Sequence, residues 1–135
     1  MIIDKLIDKI KETGNPTVVG LDPRVDYIPT FIIDEKYEKY GHSLKAVAEA
    51  MYEFNKYIID EIYDLMPAVT PQIAMYERYG IEGMKAYLDT IEYAKEKGLI
   101  IIGDIKRSDI ASTAEAYSDG HIGRTIVKEN SFDVF

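Results

Sequence analysis

The segment IIIGDIKRSDIAST, residues 100–113, places two carboxylates and a lysine directly after an apolar run. Asp104, Lys106 and Asp109 lie within six positions of one another. A lysine between two carboxylates stays protonated, because opposite charges favour its charged form, and it can then donate a proton to a developing carbanion. A desolvated lysine with a lowered pKa would instead suit a Schiff base. The alternative is that these residues have no catalytic role and form a solvated surface ion pair, which would contribute little to stability.

The position of these charges favours a site over a surface pair. If the apolar run is a strand, alternate side chains share a face, so Asp104 and Lys106 point the same way as Ile100 and Ile102. Chemistry in α/β folds gathers at the carboxyl ends of parallel strands. Asp22 ends an earlier apolar run, TVVGLD, in the same manner. We therefore expect Asp22 to form a second wall of one site.

The elements that must position these residues alternate between helical and strand patterns. Helices of about fifteen residues or more separate short apolar runs, which predicts βαβ units and a parallel sheet. The segment between Asp22 and Gly41 is predicted to be rich in turns, and its charge run DEKYEKYGHS to be a solvated loop. The predicted helices cover about 2–13, 44–65, 81–94 and 111–117. Strands are predicted at 17–22 and 99–106 and in the strand-like segment 67–76, where Pro71 is placed at the end of the strand because proline disfavours a central strand. FDVF is predicted to begin another strand.

Composition limits the classes of function. The chain has 135 residues, enough for one domain with a core. It has no cysteine, which excludes disulfides and thiolate metal sites, and its net charge of −8 argues against nucleic-acid binding. No apolar run is long enough for a membrane span and no signal peptide is evident, so we expect a cytoplasmic protein. His42 and His121 lack metal-ligand spacing, and no metal site is expected.

Four segments in order resemble orotidine 5′-phosphate decarboxylase. They are VVGLDPR from Val18, PQIAMYERYG from Pro71, IIGDIKRSDIAST from Ile101 and STAEAYSDGHIG from Ser112. The second and fourth are similar to the bacterial and archaeal branch called type 2. This resemblance implies a (β/α)8 TIM barrel and a homodimer without metal or organic cofactor. It also implies the conversion of orotidine monophosphate to UMP and CO2 in pyrimidine biosynthesis.

The resemblance also implies a role for each matching residue. Lys106 would donate the proton to C6 of the pyrimidine, and Asp104 would lie beside the leaving carboxylate. Asp109 would reach into the site of the partner subunit. Substrate contacts would come from Asp22 to a ribose hydroxyl, from Ile110 to the pyrimidine across the dimer, and from Thr113 to the ribose there.

Two departures from the family pattern affect these expectations. The family usually has a lysine where this chain has Thr70, and a threonine supplies no charge. Arg78 or another lysine is a candidate substitute. The chain is also shorter than the about 250 residues of a (β/α)8 barrel. We therefore expect residues 1–135 to form a single, partial TIM-barrel domain, truncated near the fourth strand, that is either a fragment or must associate to fold.

Three functions remain open from the sequence. The first is the decarboxylase. The second is a Mg²⁺-dependent sugar-phosphate aldolase or decarboxylase that shares the D-x-K-x-x-D motif but holds its metal with carboxylates. The third is a non-catalytic half-barrel that binds a partner or a copy of itself, which Thr70 and the short chain both favour.

Overall fold

The computed structural model describes residues 1–135 and shows an α/β arrangement with one parallel sheet and one hairpin. A single 3-10 turn, Val25–Tyr27, follows the first strand. The elements in chain order are α1 (Ile2–Thr13), β1 (Val18–Leu21), α2 (Thr30–Tyr40), α3 (Leu44–Ile62), β2 (Ala68–Pro71), α4 (Ile73–Glu77), α5 (Gly80–Glu96), β3 (Ile100–Ile101), α6 (Ala111–His121), β4 (Thr125–Val127) and β5 (Asn130–Phe132).

The parallel sheet has the order β1-β2-β3, as the alternating pattern predicted. Val18 lies opposite Ala68, and Ala68 lies opposite Ile100. All three strands therefore end at the same edge. An isolated parallel bridge between Gln72 and Asp104 extends the pairing of β2 and β3 beyond their regular part. This extension brings Asp104 to the carboxyl edge of the sheet.

Helix α3 is central to the core and packs against both α2 and α5. Helix α3 buries one apolar face, on which Val47, Ala50 and Met51 are no more than 1% exposed. Ser43 caps this helix, since its hydroxyl accepts a hydrogen bond from the Ala46 amide at 3.2 Å. A second cluster under the sheet consists of Leu21, Ile59, Val69, Ala94 and Leu99.

Helix α2 corrects one prediction. The segment expected to be turn-rich, including the supposed solvated loop DEKYEKYGHS, is helical from Thr30 to Tyr40. Ile32 and Ile33 are buried against α3, and Lys36 is buried in an ion pair with Glu53. The charge run was misleading because only one narrow side of α2 faces the core, so charged residues occupy most of its positions.

The strand predictions need correction in part. The strand in PAVTPQIAMY ends at Pro71 as predicted, but the rest of the segment is α4, a helix that was not predicted and whose five residues are all buried. Burial on every side removes the polar positions that reveal a helical period. The last strand of the sheet is also short, because regular pairing of β3 ends at Ile101. The C-terminal segment forms the antiparallel hairpin β4-β5 instead of beginning a strand at FDVF.

Helix α1 ends at Gly14 as predicted, with a left-handed φ of 64° at that glycine. None of its residues is buried, and Ile2 is 67% exposed. Its apolar face is therefore largely uncovered in this chain. None of the helices combines the length and apolar composition that crossing a bilayer requires.

Candidate active site

Lys106 lies between the two carboxylates that the motif predicted as its neighbours. Its ammonium is 2.9 Å from Asp104 Oδ1 and 3.0 Å from Asp109 Oδ2. Hydrogen bonds to Asp104 and then to Asp109 raise the pKa of the lysine. The pKa of Asp109 is lowered, mainly by its hydrogen bond with Lys106 and further by its hydrogen bond with the Ile110 amide. The group is thus an ammonium held by carboxylates, and the lowered pKa that a Schiff-base lysine needs is not present.

Asp104 owes its position to β2 as much as to its own strand. Its amide donates to the Pro71 carbonyl at 3.2 Å, and its carbonyl accepts from the Ile73 amide at 3.1 Å. The side-chain amide of Gln72 donates to Asp104 Oδ2 at 2.8 Å. The Lys106 ammonium donates to both carboxylate oxygens, at 2.9 and 3.2 Å, and Oδ2 also accepts from the neutral Gln72 amide, so the orientation of the group is fixed from two sides.

Asp22 follows β1 at the same edge of the sheet and shares the electrostatic field of this cluster. Its pKa is raised, first by partial loss of hydration and second by the negative charge of Asp104, while Lys106 lowers it. Asp22 therefore lies close enough to Asp104 and Lys106 for their charges to affect its pKa. Three carboxylates and one ammonium give the cluster an excess of negative charge, which would repel an anionic group placed beside Asp104.

The remaining predicted residues lie further along the chain. Ile110 immediately precedes α6, and its side chain is 80% exposed. Thr113 lies half-buried in the first turn of α6 and forms no hydrogen bond with the Lys106 cluster. Asp109, which the resemblance assigned to a partner's site, pairs here with the lysine of its own chain.

Thr70 lies on β2 opposite Gly20. Because alternate residues of a strand share a face, Thr70 points to the same side as Gln72, whose amide reaches Asp104. Arg78 does not replace the missing cation, because its guanidinium pairs with Asp119. The position at which the family has a lysine is therefore neutral here, and no other cation forms an ion pair with Asp104 besides Lys106.

Several residues that support the site were not predicted. Tyr76 on α4 is fully buried; its hydroxyl accepts a hydrogen bond from Asn55 at 2.9 Å and donates to the Leu21 carbonyl at 3.3 Å. Glu77, the next residue, binds Arg107 beyond β3. The Tyr117 hydroxyl donates to the Lys106 carbonyl at 2.6 Å. Residue spacing does not indicate these contacts, which join residues 11 to 55 positions apart.

The largest cavity lies beside the cluster and does not contain it, whereas another cavity, beside α6, is lined in part by Asp109. The largest, about 490 Å³, is lined by Pro23 and Arg24 after β1, by Arg78, and by Ser112 and residues of α2 and the hairpin. Lys106 itself is exposed, with 56% of its side chain accessible. No three His, Asp or Glu side chains converge in a way that could hold a metal ion.

Curated proteins similar to this chain include several orotidine 5′-phosphate decarboxylases. The chain is 48% identical over 121 residues to the orotidine 5′-phosphate decarboxylase of Petrotoga mobilis, 41% identical to that of Clostridium acetobutylicum and 43% identical to that of Clostridium kluyveri. Each match covers 90% of this chain, and the chain spans about two fifths of the length of these relatives, 38–39%. No protein-family model matches the chain.

Solved structures agree with the sequence relatives. A protein from Streptomyces avermitilis assigned as an orotidine 5′-phosphate decarboxylase matches with a TM-score of 0.58 at 22% identity, and this match shows the fold alone. One from Toxoplasma gondii, assigned as an orotidine-monophosphate decarboxylase, matches with a TM-score of 0.61 at 26% identity. Each match covers 87% of this chain and 35–37% of the other. The chain is thus a partial barrel with parallel strands, and in sequence and fold it resembles the orotidine 5′-phosphate decarboxylases over the part that it spans.

Proposed function

We propose that this chain carries the lysine–carboxylate site of an orotidine 5′-phosphate decarboxylase, which converts orotidine monophosphate to UMP and CO2 in pyrimidine biosynthesis. The observation that carries the proposal is the Lys106 ammonium between Asp104 and Asp109, at the carboxyl edge of a parallel sheet. The names of the sequence relatives support it. Residues 1–135 would form one partial barrel domain.

The proposed chemistry needs no group besides these side chains. The bond between C6 and the carboxylate breaks, and its electron pair stays on C6 as CO2 leaves. Lys106 then donates a proton to C6 and recovers one from water. The two carboxylates that raise its pKa keep the lysine in the protonated form that a proton donor needs. Asp104, beside the leaving carboxylate, would favour the loss of that negative charge, in keeping with a site complementary to the transition state.

The proposed substrate contacts involve a second subunit. Asp22 would bind a ribose hydroxyl from its own subunit, whereas Asp109, Ile110 and Thr113 would contact a site across a homodimer. The 80% exposure of the Ile110 side chain supports this role, because an apolar group at the start of a helix is available to a partner. In such a dimer Asp109 would exchange its contact with Lys106 of its own chain for one across the interface.

A second candidate function follows from Thr70. Without the lysine, the network has one cation among its three carboxylates, and the site can bind a nucleotide without turning it over. Removing one member of a preorganised network commonly costs several orders of magnitude in rate. This candidate is a non-catalytic half-barrel, and it predicts binding of UMP by a chain that does not decarboxylate orotidine monophosphate.

The test is the ultraviolet absorbance of orotidine monophosphate after addition of the purified chain, with Lys106→Ala as the control. A parallel chimera carries these residues in place of the matching segment of the Petrotoga mobilis relative, so that the remaining barrel is supplied. We expect turnover in the chimera that disappears with Lys106→Ala. A folded chimera that binds UMP without turnover would refute the decarboxylase and support the second candidate.

A further inference from the structure

The loop that carries Lys106 has little support from its own backbone. From Ile105 to Asp109, no backbone group forms a hydrogen bond with another backbone group. The contacts of Lys106 with Asp104 and Asp109 lie within the loop and its immediate start. Only two polar contacts tie the loop to the helices, namely Tyr117 to the Lys106 carbonyl and Arg107 to Glu77.

Glu77 is the buried member of the second contact. Its side chain is 10% exposed, whereas that of Arg107 is 56% exposed. The Arg107 Nε donates to both carboxylate oxygens, at 3.1 and 3.2 Å, and Oε1 also lies 3.0 Å from His121 Nε2. A carboxylate with so little hydration needs donors around it. Glu77 obtains them from the loop after β3 and from the end of α6.

We infer that Glu77 is a positioning residue that fixes Lys106 through Arg107. The two neighbours are directed to opposite partners: Arg107 reaches the buried carboxylate on α4, and Lys106 reaches Asp104 and Asp109. Because the two residues are adjacent, fixing the position of Arg107 also fixes the backbone from which the Lys106 side chain extends. The importance of this placement for catalysis rests on the proposed function, but the placement itself does not.

The physical consequence concerns the lysine in the absence of any substrate. Because Asp104 is held by β2, the Lys106 ammonium stays between its two carboxylates only while the loop keeps its path. If Arg107 is released, the loop gains other conformations in which one or both contacts are broken. The pKa of Lys106, which these contacts raise, then falls toward that of an ordinary lysine.

The experiment measures this pKa by NMR in the chain labelled at lysine side chains, with the Lys106 signal assigned by its absence in Lys106→Arg. We expect Glu77→Gln to lower the pKa of Lys106. The matched control is Glu53→Gln, which makes the same chemical change in the ion pair with the buried Lys36 between α2 and α3. Glu53→Gln should leave the pKa of Lys106 unchanged, although it also removes an ion pair.

Further variants show whether the effect passes through Arg107. Arg107→Gln should lower the pKa of Lys106 as Glu77→Gln does, and the double variant should lower it no further, because both changes break one contact. Arg107→Lys keeps the positive charge and should restore part of the shift. Arg107 is exposed enough for its replacement to leave the fold intact, so the test does not depend on the stability of Glu77→Gln.

Two results would overturn the inference. One is an unchanged Lys106 pKa in Arg107→Gln or in folded Glu77→Gln, and the other is a sum of independent shifts in the double variant. Because no substrate is present, this outcome is separate from the decarboxylase test. A chain without turnover but with the expected pKa changes would refute the proposed function and leave the role of Glu77 intact.

Discussion

Removing the hydroxyl of Tyr76 should destabilise the chain measurably, although the substitution leaves the aromatic ring in place. Tyr76→Phe loses the bond accepted from Asn55 at 2.9 Å and the bond donated to the Leu21 carbonyl at 3.3 Å. The second is long for a hydroxyl donor and so contributes less. Asn55 keeps its bond to Thr90 at 3.2 Å, which limits the damage.

The expected magnitude follows from this count of bonds. A hydrogen bond contributes about 1 kcal/mol net, and a buried group left without its partner costs about 1–3 kcal/mol. One good bond and one weak one, with Asn55 still partly paired, give a loss of about 1–2 kcal/mol. For a urea dependence of about 2 kcal/mol per molar, the unfolding midpoint should fall by roughly 0.5–1 M.

The assay is urea unfolding followed by circular dichroism, with Tyr87→Phe as the matched control. Tyr87 lies edge-on to Tyr76 with ring centroids 5.2 Å apart, but its hydroxyl forms no hydrogen bond. The control should change stability by less than about 0.5 kcal/mol. Equal losses in the two variants, or no loss in Tyr76→Phe, would refute the claim that the buried hydroxyl supports the end of β1.

Three further results are expected. The raised pKa of Asp22 means that the folded chain binds this proton more readily than the unfolded chain, so its stabilising contribution is present at low pH and is lost as the pH rises through the folded value. Asp22→Asn should therefore match the original chain in acid and exceed its stability at neutral pH, in urea titrations at several pH values; a constant difference would contradict this. Thr70→Lys adds a cation on the strand face that also carries Gln72, and it should lower the pKa of Asp22 relative to the uncharged control Thr70→Met. Carboxyl NMR measures this pKa, and equal values in the two variants would show that the new ammonium does not reach the cluster. Gly83→Ala would place its Cβ 1.9 Å from the Tyr76 carbonyl oxygen and should cost about 2–3 kcal/mol, despite the better helix propensity of alanine. The control Gly123→Ala, whose nearest neighbour is 3.5 Å away, should stay within about 0.5 kcal/mol.

The alternation of helical and strand-like segments along the chain was sufficient to predict the parallel sheet and the long helices. The stripe on α3 has a strong period because one face is buried and the other is not. The same reasoning failed for α4, which is buried on all sides, and for α2, where the mixed charges of the exposed side conceal Ile32 and Ile33. Periodicity reports a difference between two faces, and it gives no signal where that difference is absent or narrow.

The site could be predicted only in its local part. Asp104, Lys106 and Asp109 are close in sequence, so their mutual contacts follow from spacing, and Asp22 follows from the common edge of parallel strands. Gln72 and Glu77 reach the same region from α4 and its cap, about 30 residues earlier in the chain. Such contacts depend on the angle at which a helix leaves the sheet, and residue types do not encode this angle.

The position of two adjacent residues on α4 makes this short helix unusually sensitive to changes of length. Tyr76 binds the end of β1, and Glu77 binds the loop beyond β3, from a helix of five residues. A helix turns by about 100° per residue, so inserting or deleting one residue after Gln72 would rotate both side chains away from their partners together. The length of this segment should therefore be fixed, whereas one residue more or fewer in the turn between α2 and α3 would not rotate these two side chains.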